Sequence, residues 1–328
     1  MRAAIIGCGH AGRGHAEDAK RAALEIVGFC DIIEASAEKL CADYGGKYAT
    51  TDPEKVMKDK SIDIVFIATH HDAHKPMALA AARAGKHILL EKPMTVTKRD
   101  AIEVAEAVKK AGVKLAINYK FRLSPAVLKV KELIKSPRVS HGQLAMSDSR
   151  PGASRWIWHG DDGGGLLIST AAHTVDILSY LMDSDAERVY AEGRLFEPEG
   201  KGTHGYPDGV VGTILWKSGG ISTFISADQG QNDFLSKWFV TLYDGTRSAS
   251  IHAHMGRAEL GGCEITHLDN KVLPAEKVKE SIILTNLLKA IKTNGDTVCN
   301  VRDGVRTVAI CNALDESAKT GKPVRVTV

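Results

Sequence analysis

Two hydrophobic periods alternate along the first third of the chain. Short β-rich runs occur at residues 3–6, 25–30, 62–69, 87–90 and 113–118, and the run at 62–69 is nearly continuous in apolar residues, which is typical of a strand that is buried on both faces of a parallel sheet. The segments between them carry apolar residues at helical spacing, at residues 16–24, 35–44, 75–84 and 98–111. Gly112 is expected to end the last helix. This order predicts an α/β domain with a doubly wound parallel sheet.

The pattern changes after residue 121. Helices are predicted at residues 125–135, from the glycine triplet to about residue 182, and at residues 280–293 and 303–320. Strands are predicted at residues 142–147, 188–195, 209–217, 220–227, 238–243 and 247–253. We therefore expect residues 1–121 to form the first domain. Residues 122–328 are expected to form an α+β domain with a large open, mainly antiparallel sheet.

Composition narrows the class of protein. The 328 residues suffice for two domains, and hydrophobic residues make up 44% of the chain. The net charge of +3 is spread without a basic block, so no nucleic-acid partner is expected. No apolar run has membrane-spanning length and no leader is recognisable, so we expect a cytoplasmic protein without a membrane partner. The six cysteines form no CxxC pair; we interpret them as reduced apolar residues and expect no metal site.

The first candidate site is a glycine motif. Gly7-Cys8-Gly9-His10-Ala11-Gly12 follows a predicted strand and precedes a predicted helix. In a dinucleotide site, Gly7 permits the tight turn, Gly9 lets the main chain approach a pyrophosphate, and Gly12 allows close packing of helix and strand. The free N–H groups at the start of the helix attract phosphate, and His10 and Ala11 lie there.

An acidic residue strengthens this interpretation. Asp31 ends the second predicted strand, about twenty residues beyond the glycines. A carboxylate there accepts hydrogen bonds from the adenosine ribose and repels a 2′-phosphate, and Ile32 and Ile33 follow it instead of an arginine. NAD is therefore favoured over NADP. The alternative is a glycine turn without a ligand.

A second motif, Glu91-Lys92-Pro93, follows the strand at residues 87–90. The carboxyl ends of parallel strands face the ligand crevice in such sheets, so Lys92 is a candidate to bind a substrate hydroxyl and help move its proton. A solvated Glu-Lys turn is the alternative.

Together these motifs resemble the Gfo/Idh/MocA oxidoreductases. The shared features are the glycine motif, Asp31, the step Ala68-Thr69 followed by His74, and Glu91-Lys92-Pro93. Gly163-Gly164-Gly165 with His173 and Asp176, and the C-terminal stretch 320–324, are also similar. The resemblance covers essentially the whole chain.

This resemblance implies a Rossmann domain followed by a domain whose open sheet holds substrate and mediates homodimers or homotetramers. It implies that Lys92 contacts nicotinamide and substrate, that the Lys92-Pro93 bond is cis, and that His173 is the general acid/base. The further cofactor contacts it implies are Thr69, His70, His74, Glu91 and Asn118. Asp176 is interpreted as a structural helix residue.

One departure from the family pattern matters for the chemistry of the site. Many sugar and inositol dehydrogenases of the family carry aspartate four residues before the histidine, where this chain has Ser169. Serine lacks the negative charge that helps to orient substrate. Positions 169 and 173 share one face of the predicted helix, so Ser169 is still expected to point into the pocket.

The remaining substrate candidates lie in loops and at strand ends. They are Lys120 and Arg122, then Arg150, Trp156 and His159, and finally Asp228 with Gln229 and Gln231. Polar and aromatic groups of this kind hydrogen-bond and stack on sugars, and surface structure is the alternative for each.

The sequence thus predicts hydride transfer between NAD and a hydroxyl or keto carbon of a sugar, cyclitol or related polyol. His173 is the first choice of base, and Lys92 polarises the developing alkoxide. Two alternatives remain open. One is a lyase or glycosidase that oxidises its substrate only transiently with bound NAD. The other is a non-catalytic NAD-binding regulator, which Ser169 motivates and which the presence of both Lys92 and His173 disfavours.

Overall fold

The chain divides into two compact units. The computed structural model describes residues 1–145, 155–158, 163–196, 207–228, 236–262, 271–272 and 281–328. The first unit consists of Met1–Tyr119 and Lys279–Val305, and the second unit consists of Lys120–Val278 and Arg306–Val328. Among the described helices, none has both the length and the apolar character needed to cross a membrane.

Strands occur throughout both units. In chain order they are β1 (Arg2–Ile6), β2 (Glu25–Cys30), β3 (Tyr48–Thr50), β4 (Ile64–Ile67), β5 (His87–Leu90), β6 (Leu115–Ile117), β7 (Val139–Ala145), β8 (Ala186–Arg194), β9 (Gly209–Trp216), β10 (Ile221–Ala227), β11 (Trp238–Tyr243), β12 (Ser248–His252), β13 (Arg257–Gly261), β14 (Lys271–Val272) and β15 (Val324–Arg325).

Helices connect most of the strands. They are α1 (His10–Arg21), α2 (Glu34–Tyr44), α3 (Pro53–Lys58), α4 (His71–Arg83), α5 (Lys98–Ala111), α6 (Pro125–Leu133), α7 (Gly165–Ser169), α8 (Ala171–Met182), α9 (Ser281–Thr293) and α10 (Val301–Thr320). Two 3₁₀ turns span Lys120–Leu123 and Arg155–Trp158.

The first unit is built on a parallel sheet in the order β3-β2-β1-β4-β5-β6. All four side chains of β4 are inaccessible to solvent, which explains why its sequence is uniformly apolar. The strand order reverses between β1 and β4, and ligands of such sheets bind at the carboxyl ends of the strands at this point. The predicted doubly wound sheet is confirmed.

Local sequence sets several helix ends. The Thr97 hydroxyl accepts a hydrogen bond from the Asp100 N–H at 3.2 Å and so caps the start of α5. Helix α5 ends at Gly112, whose φ of 68° is left-handed, as its sequence predicts. Asp52 caps α3 by accepting from the Glu54 N–H at 2.9 Å, with Pro53 at the first helical position.

A late segment of the chain returns to the first unit. Helix α9 packs against α1, β5 and β6. Beyond it, the Thr297 hydroxyl donates to the Leu115 carbonyl at 2.7 Å, and the Ile117 N–H donates to the Cys299 carbonyl at 2.9 Å. These bonds cover the edge of the sheet at β6, which would otherwise expose unpaired main-chain groups. The structure thus departs from the predicted division at residues 121/122, because residues 279–305 belong to the first unit.

The second unit contains a nine-stranded sheet within the described ranges. Its order is β14-β13-β12-β11-β7-β10-β9-β8-β15. The pair β7–β10 is parallel and all other pairs are antiparallel, so the predicted open, mainly antiparallel sheet is confirmed. Helix α8 approaches β7 closely at Gly142, where a Cβ atom would lie 2.7 Å from the Thr174 side chain.

The glycine triplet does not open one continuous helix. Helix α7 ends at Ser169 and α8 begins at Ala171. At the joint the His173 N–H donates to the Thr170 carbonyl at 3.3 Å, three residues back, which interrupts the ladder of four-residue bonds. The prediction of one helix from the triplet to residue 182 is therefore wrong, and with it the argument that Ser169 and His173 lie on one helical face.

Candidate functional site

The glycine turn of the first unit depends on the absence of two side chains. Gly7 has φ of 94°, and a Cβ atom there would lie 2.3 Å from the Ala68 carbonyl oxygen. A Cβ atom on Gly12 would lie 1.9 Å from the Gly7 carbonyl oxygen. In contrast, apart from the adjoining residues and the main chain of α1, no atom of the described residues lies within 4 Å of a Cβ atom built on Gly9, which is exposed at the start of α1. The turn leaves open space in front of Gly9, which is compatible with the predicted approach of the main chain to a pyrophosphate.

Asp31 follows β2 and braces this turn. Its carboxylate accepts a hydrogen bond from the Cys8 N–H at 2.6 Å and another from the Ile33 N–H at 2.9 Å. Burial, together with the Asp31 charge, raises the pKa of the Cys8 thiol to about 12. Cys8 is therefore neutral at physiological pH and does not repel an anion. The open turn and the half-exposed carboxylate are the pair of features that a dinucleotide requires.

Further candidates lie at the same edge of the sheet. His10 and Ala11 are exposed in the first turn of α1. Thr69 is half-buried and His70 is exposed between β4 and α4. These residues follow β1 and β4, the two strands at which the strand order reverses, so their position is compatible with the predicted contacts to the cofactor.

His74, another of the predicted cofactor contacts, lies buried beside the turn at Pro93. Its side chain is inaccessible, and Nδ1 lies 2.7 Å from the Pro93 carbonyl oxygen. A carbonyl oxygen only accepts, so Nδ1 carries the proton. Burial lowers the pKa of this imidazole. The structure thus makes His74 a support of the turn at Pro93, and its contact with the cofactor stays a prediction.

The Glu91-Lys92-Pro93 turn follows β5, and the Lys92-Pro93 peptide is cis, as expected. Lys92 is half-buried. The carboxylate of Glu91 is held on two sides, because Asn118 Nδ2 donates to Oε1 at 2.7 Å and His15 Nε2 lies 2.9 Å from the same oxygen. The Lys92 N–H donates to Oε2 at 3.2 Å. Glu91 therefore links α1, β6 and the main chain of Lys92.

Electrostatics fix the charge of Glu91. Burial alone would raise the pKa of this carboxyl, but the contacts with His15 and Asn118 outweigh it, and the pKa lies well below its usual range. Sequence reasoning missed His15. The spacing in the sequence offered a signal, because His15 lies three residues after Gly12 and so falls on the same face of the predicted helix. The structure buries that face and leaves His15 5% exposed.

A cluster of four rings marks the second unit. The Phe121 ring lies 5.2 Å from the His173 ring and 4.9 Å from the Trp238 indole, measured between centroids. The Trp238 indole also lies 5.9 Å from His173 and 5.3 Å from His254. We call Phe121, His173, Trp238 and His254 the ring cluster. Trp238 and His254 are not among the predicted site residues.

Arg122 has a protein partner. Its Nε donates to Asp176 Oδ2 at 2.8 Å and its terminal nitrogen donates to Oδ1 at 2.6 Å, and both side chains are almost fully buried. Thr307 also donates to Oδ1 at 3.3 Å. A buried bidentate pair of this kind leaves no guanidinium face for a substrate, so Arg122 ties the 3₁₀ turn at Lys120–Leu123 to α8. Asp176 has the structural role that its sequence position suggested.

The other substrate candidates are distributed over the second unit. Ser169 is 3% exposed at the end of α7, and Asp228 is 4% exposed after β10. Lys120 and Trp156 are half-buried. Arg150, His159, Gln229 and Gln231 lie outside the described residues. The substrate roles of this group stay predictions.

Comparison with known proteins identifies the family. A family model described as "Oxidoreductase family, NAD-binding Rossmann fold" matches residues 1–119. A second model, "GFO/IDH/MocA C-terminal domain", matches residues 127–241. The two matches follow one another along the chain, as the two predicted domains do.

Individual relatives agree with this. The 1,5-anhydro-D-fructose reductase of Ensifer adhaerens is 27% identical over 87% of this chain and 88% of the relative. The myo-inositol 2-dehydrogenase of Thermotoga maritima is 28% identical over 67% of this chain and 66% of the relative. A levoglucosan dehydrogenase solved with NADH and levoglucosan has the same fold, with a TM-score of 0.91 at 22% identity over 100% of this chain and 99% of that one. The glycine turn, Asp31 and both matched domains together show that the protein belongs to the Gfo/Idh/MocA family of NAD-binding oxidoreductases.

Proposed function

We propose that the protein transfers hydride reversibly between NAD and a carbinol or keto carbon of a cyclic polyol, which is a sugar, an anhydrosugar or a cyclitol. The observation that carries the proposal is the arrangement of the first unit. The open glycine turn, Asp31 and the turn that bears Lys92 all follow strands of one parallel sheet at their carboxyl ends. The names of the relatives, an anhydrofructose reductase and an inositol dehydrogenase, support this substrate class.

The chain supplies orientation and proton movement. When bound, NAD supplies the acceptor or donor of hydride. In the oxidative direction, His173 takes the proton of the substrate hydroxyl, since imidazole titrates near neutral pH. The Lys92 ammonium stabilises the developing alkoxide. The bonds of Glu91 to the Lys92 N–H and to Asn118 keep this turn in place.

We also propose that NAD is preferred to NADP. The Asp31 carboxylate is half-exposed after β2, where it would repel a 2′-phosphate, and the exposed residues that follow are Ile32 and Ile33. Neither side chain offers a positive charge to neutralise such a phosphate.

The deciding experiment combines a substrate panel with one substitution. NAD and NADP are screened against cyclitols, aldoses, anhydrosugars and keto-sugars by absorbance of the reduced nicotinamide. We expect stoichiometric NADH formation with one class of polyol. Lys92→Ala is expected to lower kcat about 10³-fold, in the range of a positioned catalytic group, while NAD affinity changes little.

Each outcome of that experiment is informative. Unchanged turnover in Lys92→Ala would overturn the role of this lysine. Product formation without net NADH would point to the lyase or glycosidase alternative. Silence across the panel, with NAD binding still measurable by calorimetry, would favour the regulator.

We propose further that the protein forms a homodimer or homotetramer through the second unit. The face of the sheet opposite α8 carries exposed apolar side chains on its central strands, namely Val139, Val211 and Ile221. Charged side chains on this face lie at the outer strands, for example Arg188 on β8 and Glu259 on β13. The centre of this face also carries polar side chains such as His141 and Thr223, and a partly apolar centre with a charged rim suits pairing with a second copy. Light scattering after gel filtration measures the assembly, and a monomeric mass would contradict it.

The cysteines bear on location. Cys8, Cys30, Cys41, Cys299 and Cys311 are all free thiols. Cys8 and Cys30 are neighbours, but the Cys8 thiol contacts the Cys30 carbonyl oxygen, at 3.5 Å. Free buried thiols are typical of a reducing compartment. We therefore propose the cytoplasm as the location, which fractionation of the source cells would test.

A further inference from the structure

The turn between β12 and β13 has an unusual main-chain conformation. Ala253, His254 and Met255 have φ of 52°, 54° and 62°. None of the three is glycine, and the left-handed region costs other residues about 1–2 kcal/mol each. Such conformations persist only where the surroundings enforce them, and they cluster at functional sites. The turn therefore calls for an explanation beyond the joining of two strands.

Contacts on both sides enforce the conformation. The buried Ser124 hydroxyl donates to the Met255 carbonyl, and the Met255 side chain is 1% exposed. The His254 N–H donates to the Ser236 hydroxyl at 3.4 Å, and the Gly256 N–H donates to the Ala253 carbonyl at 3.0 Å. Each of these contacts uses the main chain or Met255. The exposed imidazole of His254 takes part in none of these contacts. The turn therefore fixes the position of this side chain but is not stabilised by it.

The imidazole is held against the ring cluster. Its ring lies 5.3 Å from the Trp238 indole at an interplanar angle of 62°. The same indole lies 5.9 Å from His173, at 77°. Trp238 is thus in contact with the ring of the proposed general base and with the ring of His254. A six-membered polyol that offers one carbinol to His173 would therefore have the indole beside it.

The indole also has an unused donor. Trp238 Nε1 is buried and has no hydrogen-bond partner among the described residues. A buried N–H without a partner costs free energy comparable to a lost hydrogen bond, so such a group needs an explanation. A ligand oxygen provides one. Tryptophan is suited to sugars in general, because its apolar face packs on C–H groups while its N–H donates to a hydroxyl.

We infer that Trp238 and His254 form a distal subsite for the polyol, in which the indole packs on the ring of the substrate and the imidazole of His254 hydrogen-bonds a hydroxyl remote from the reacting carbon. This inference rests on the proposed function for the role of His173. In this subsite the strained turn fixes the distance between His254 and the reacting end of the substrate. The turn would thereby select among polyols by the position of a distal hydroxyl.

Two glycine substitutions in the turn provide a matched test. Both His254→Gly and Ala253→Gly relieve the left-handed strain, because glycine adopts positive φ without penalty, and only the first removes the imidazole. We expect both variants to have a higher melting temperature than the wild type. We expect only His254→Gly to bind polyol more weakly, by about tenfold, which is the loss of roughly one hydrogen bond.

The probes are levoglucosan and myo-inositol, titrated by calorimetry into the full-length protein with NADH bound, and then assayed with NAD for KM and kcat. His254→Asn, whose side chain tolerates positive φ and retains hydrogen-bonding groups, is expected to recover part of the affinity. The KM for the polyol is expected to rise in His254→Gly with kcat changed less than threefold, because His254 is remote from the reacting carbon.

Three results would overturn the inference. One is equal polyol affinity in His254→Gly and Ala253→Gly, and another is failure of both probes to bind the wild-type holoprotein. The third is a fall in kcat with KM unchanged. Failure of the proposed function gives a different pattern: the wild type would bind a probe in a His254-dependent manner without forming NADH, and the subsite would stand without the dehydrogenase.

Discussion

The glycine turn of the first unit and the turn at Ala253–Met255 in the second both use positive φ, but at different cost. Gly7 adopts φ of 94° without a steric penalty, and the residues around it need only leave room. Ala253, His254 and Met255 adopt φ near 55° against their preference, and Ser124 and Ser236 hold them there. The positive φ of the first turn follows from its own glycine, whereas that of the second depends on contacts from Ser124 and Ser236 outside the turn.

The same contrast appears in the charged groups. Glu91 of the first unit is bound by Asn118 and by the Lys92 main chain, and lies against His15. Its side chain is still 16% exposed. The Arg122–Asp176 pair of the second unit is sealed from solvent, with 2% and 3% of the side chains exposed. Loss of one partner is therefore expected to cost far more in the second unit than in the first.

The largest expected effect follows from that pair. Asp176→Ala leaves the Arg122 guanidinium buried without its carboxylate, which is expected to cost about 3–5 kcal/mol of unfolding free energy. The measurement is the urea midpoint followed by tryptophan fluorescence. The double variant Arg122→Met, Asp176→Leu removes both charges and is the control, expected to recover most of the stability. If the double variant were no more stable than Asp176→Ala, lost packing rather than an unpaired charge would explain the result.

The next largest effect is expected at the glycine turn, where Gly7 and Gly9 have different surroundings. Gly7→Ala introduces both a left-handed alanine and a contact of 2.3 Å with the Ala68 carbonyl, and is expected to cost on the order of 3 kcal/mol. The Cβ atom of Gly9→Ala would meet no described residue within 4 Å beyond the adjoining main chain, so this variant is expected to leave stability unchanged while NAD affinity falls at least tenfold. Thermal melting and calorimetric titration of NAD separate the two. Normal NAD affinity in Gly9→Ala would contradict the binding of a phosphate in the space in front of Gly9.

Local signals were sufficient for most of the first unit. The bounds of β2, β5 and α5 agree with their predictions residue for residue, because apolar runs, Gly112 and the cap residue Thr97 act within a few positions. The family and the cofactor were also predicted, since the glycine motif and Asp31 have a fixed spacing. Strand β3 and helix α3 were missed, as each is short and only half-apolar.

Long-range contacts account for what the sequence did not predict. Residues 279–305 join the first unit because they bond to β6, about 180 residues earlier. Arg122 was taken for a substrate residue because its partner, Asp176, lies 54 residues away. Trp238 and His254 carry no motif, and only the fold brings the Trp238 indole next to the rings of both His173 and His254. Hydrophobic periodicity and motif spacing report on residues that are close in sequence. They therefore cannot predict a site that is assembled from distant segments of the chain.

The smallest expected effect concerns Glu91 and depends on pH. Its pKa is lowered in the folded state, so the charged carboxylate stabilises the protein above the unfolded-state pKa, near 4.5, and this contribution is lost as pH falls further. Glu91→Gln keeps the shape but not the charge, and is expected to cost about 1.5 kcal/mol at pH 7, with the deficit shrinking below pH 4.5. Melting curves of wild type and variant from pH 7 to pH 4 measure it. Glu132→Gln, in an exposed pair with Lys129, is the control and is expected to change the midpoint little at any pH. If the deficit of Glu91→Gln stayed constant over this range, the charge of Glu91 would make no contribution to stability. The bonds to Asn118 and to the Lys92 main chain would then act through their geometry alone.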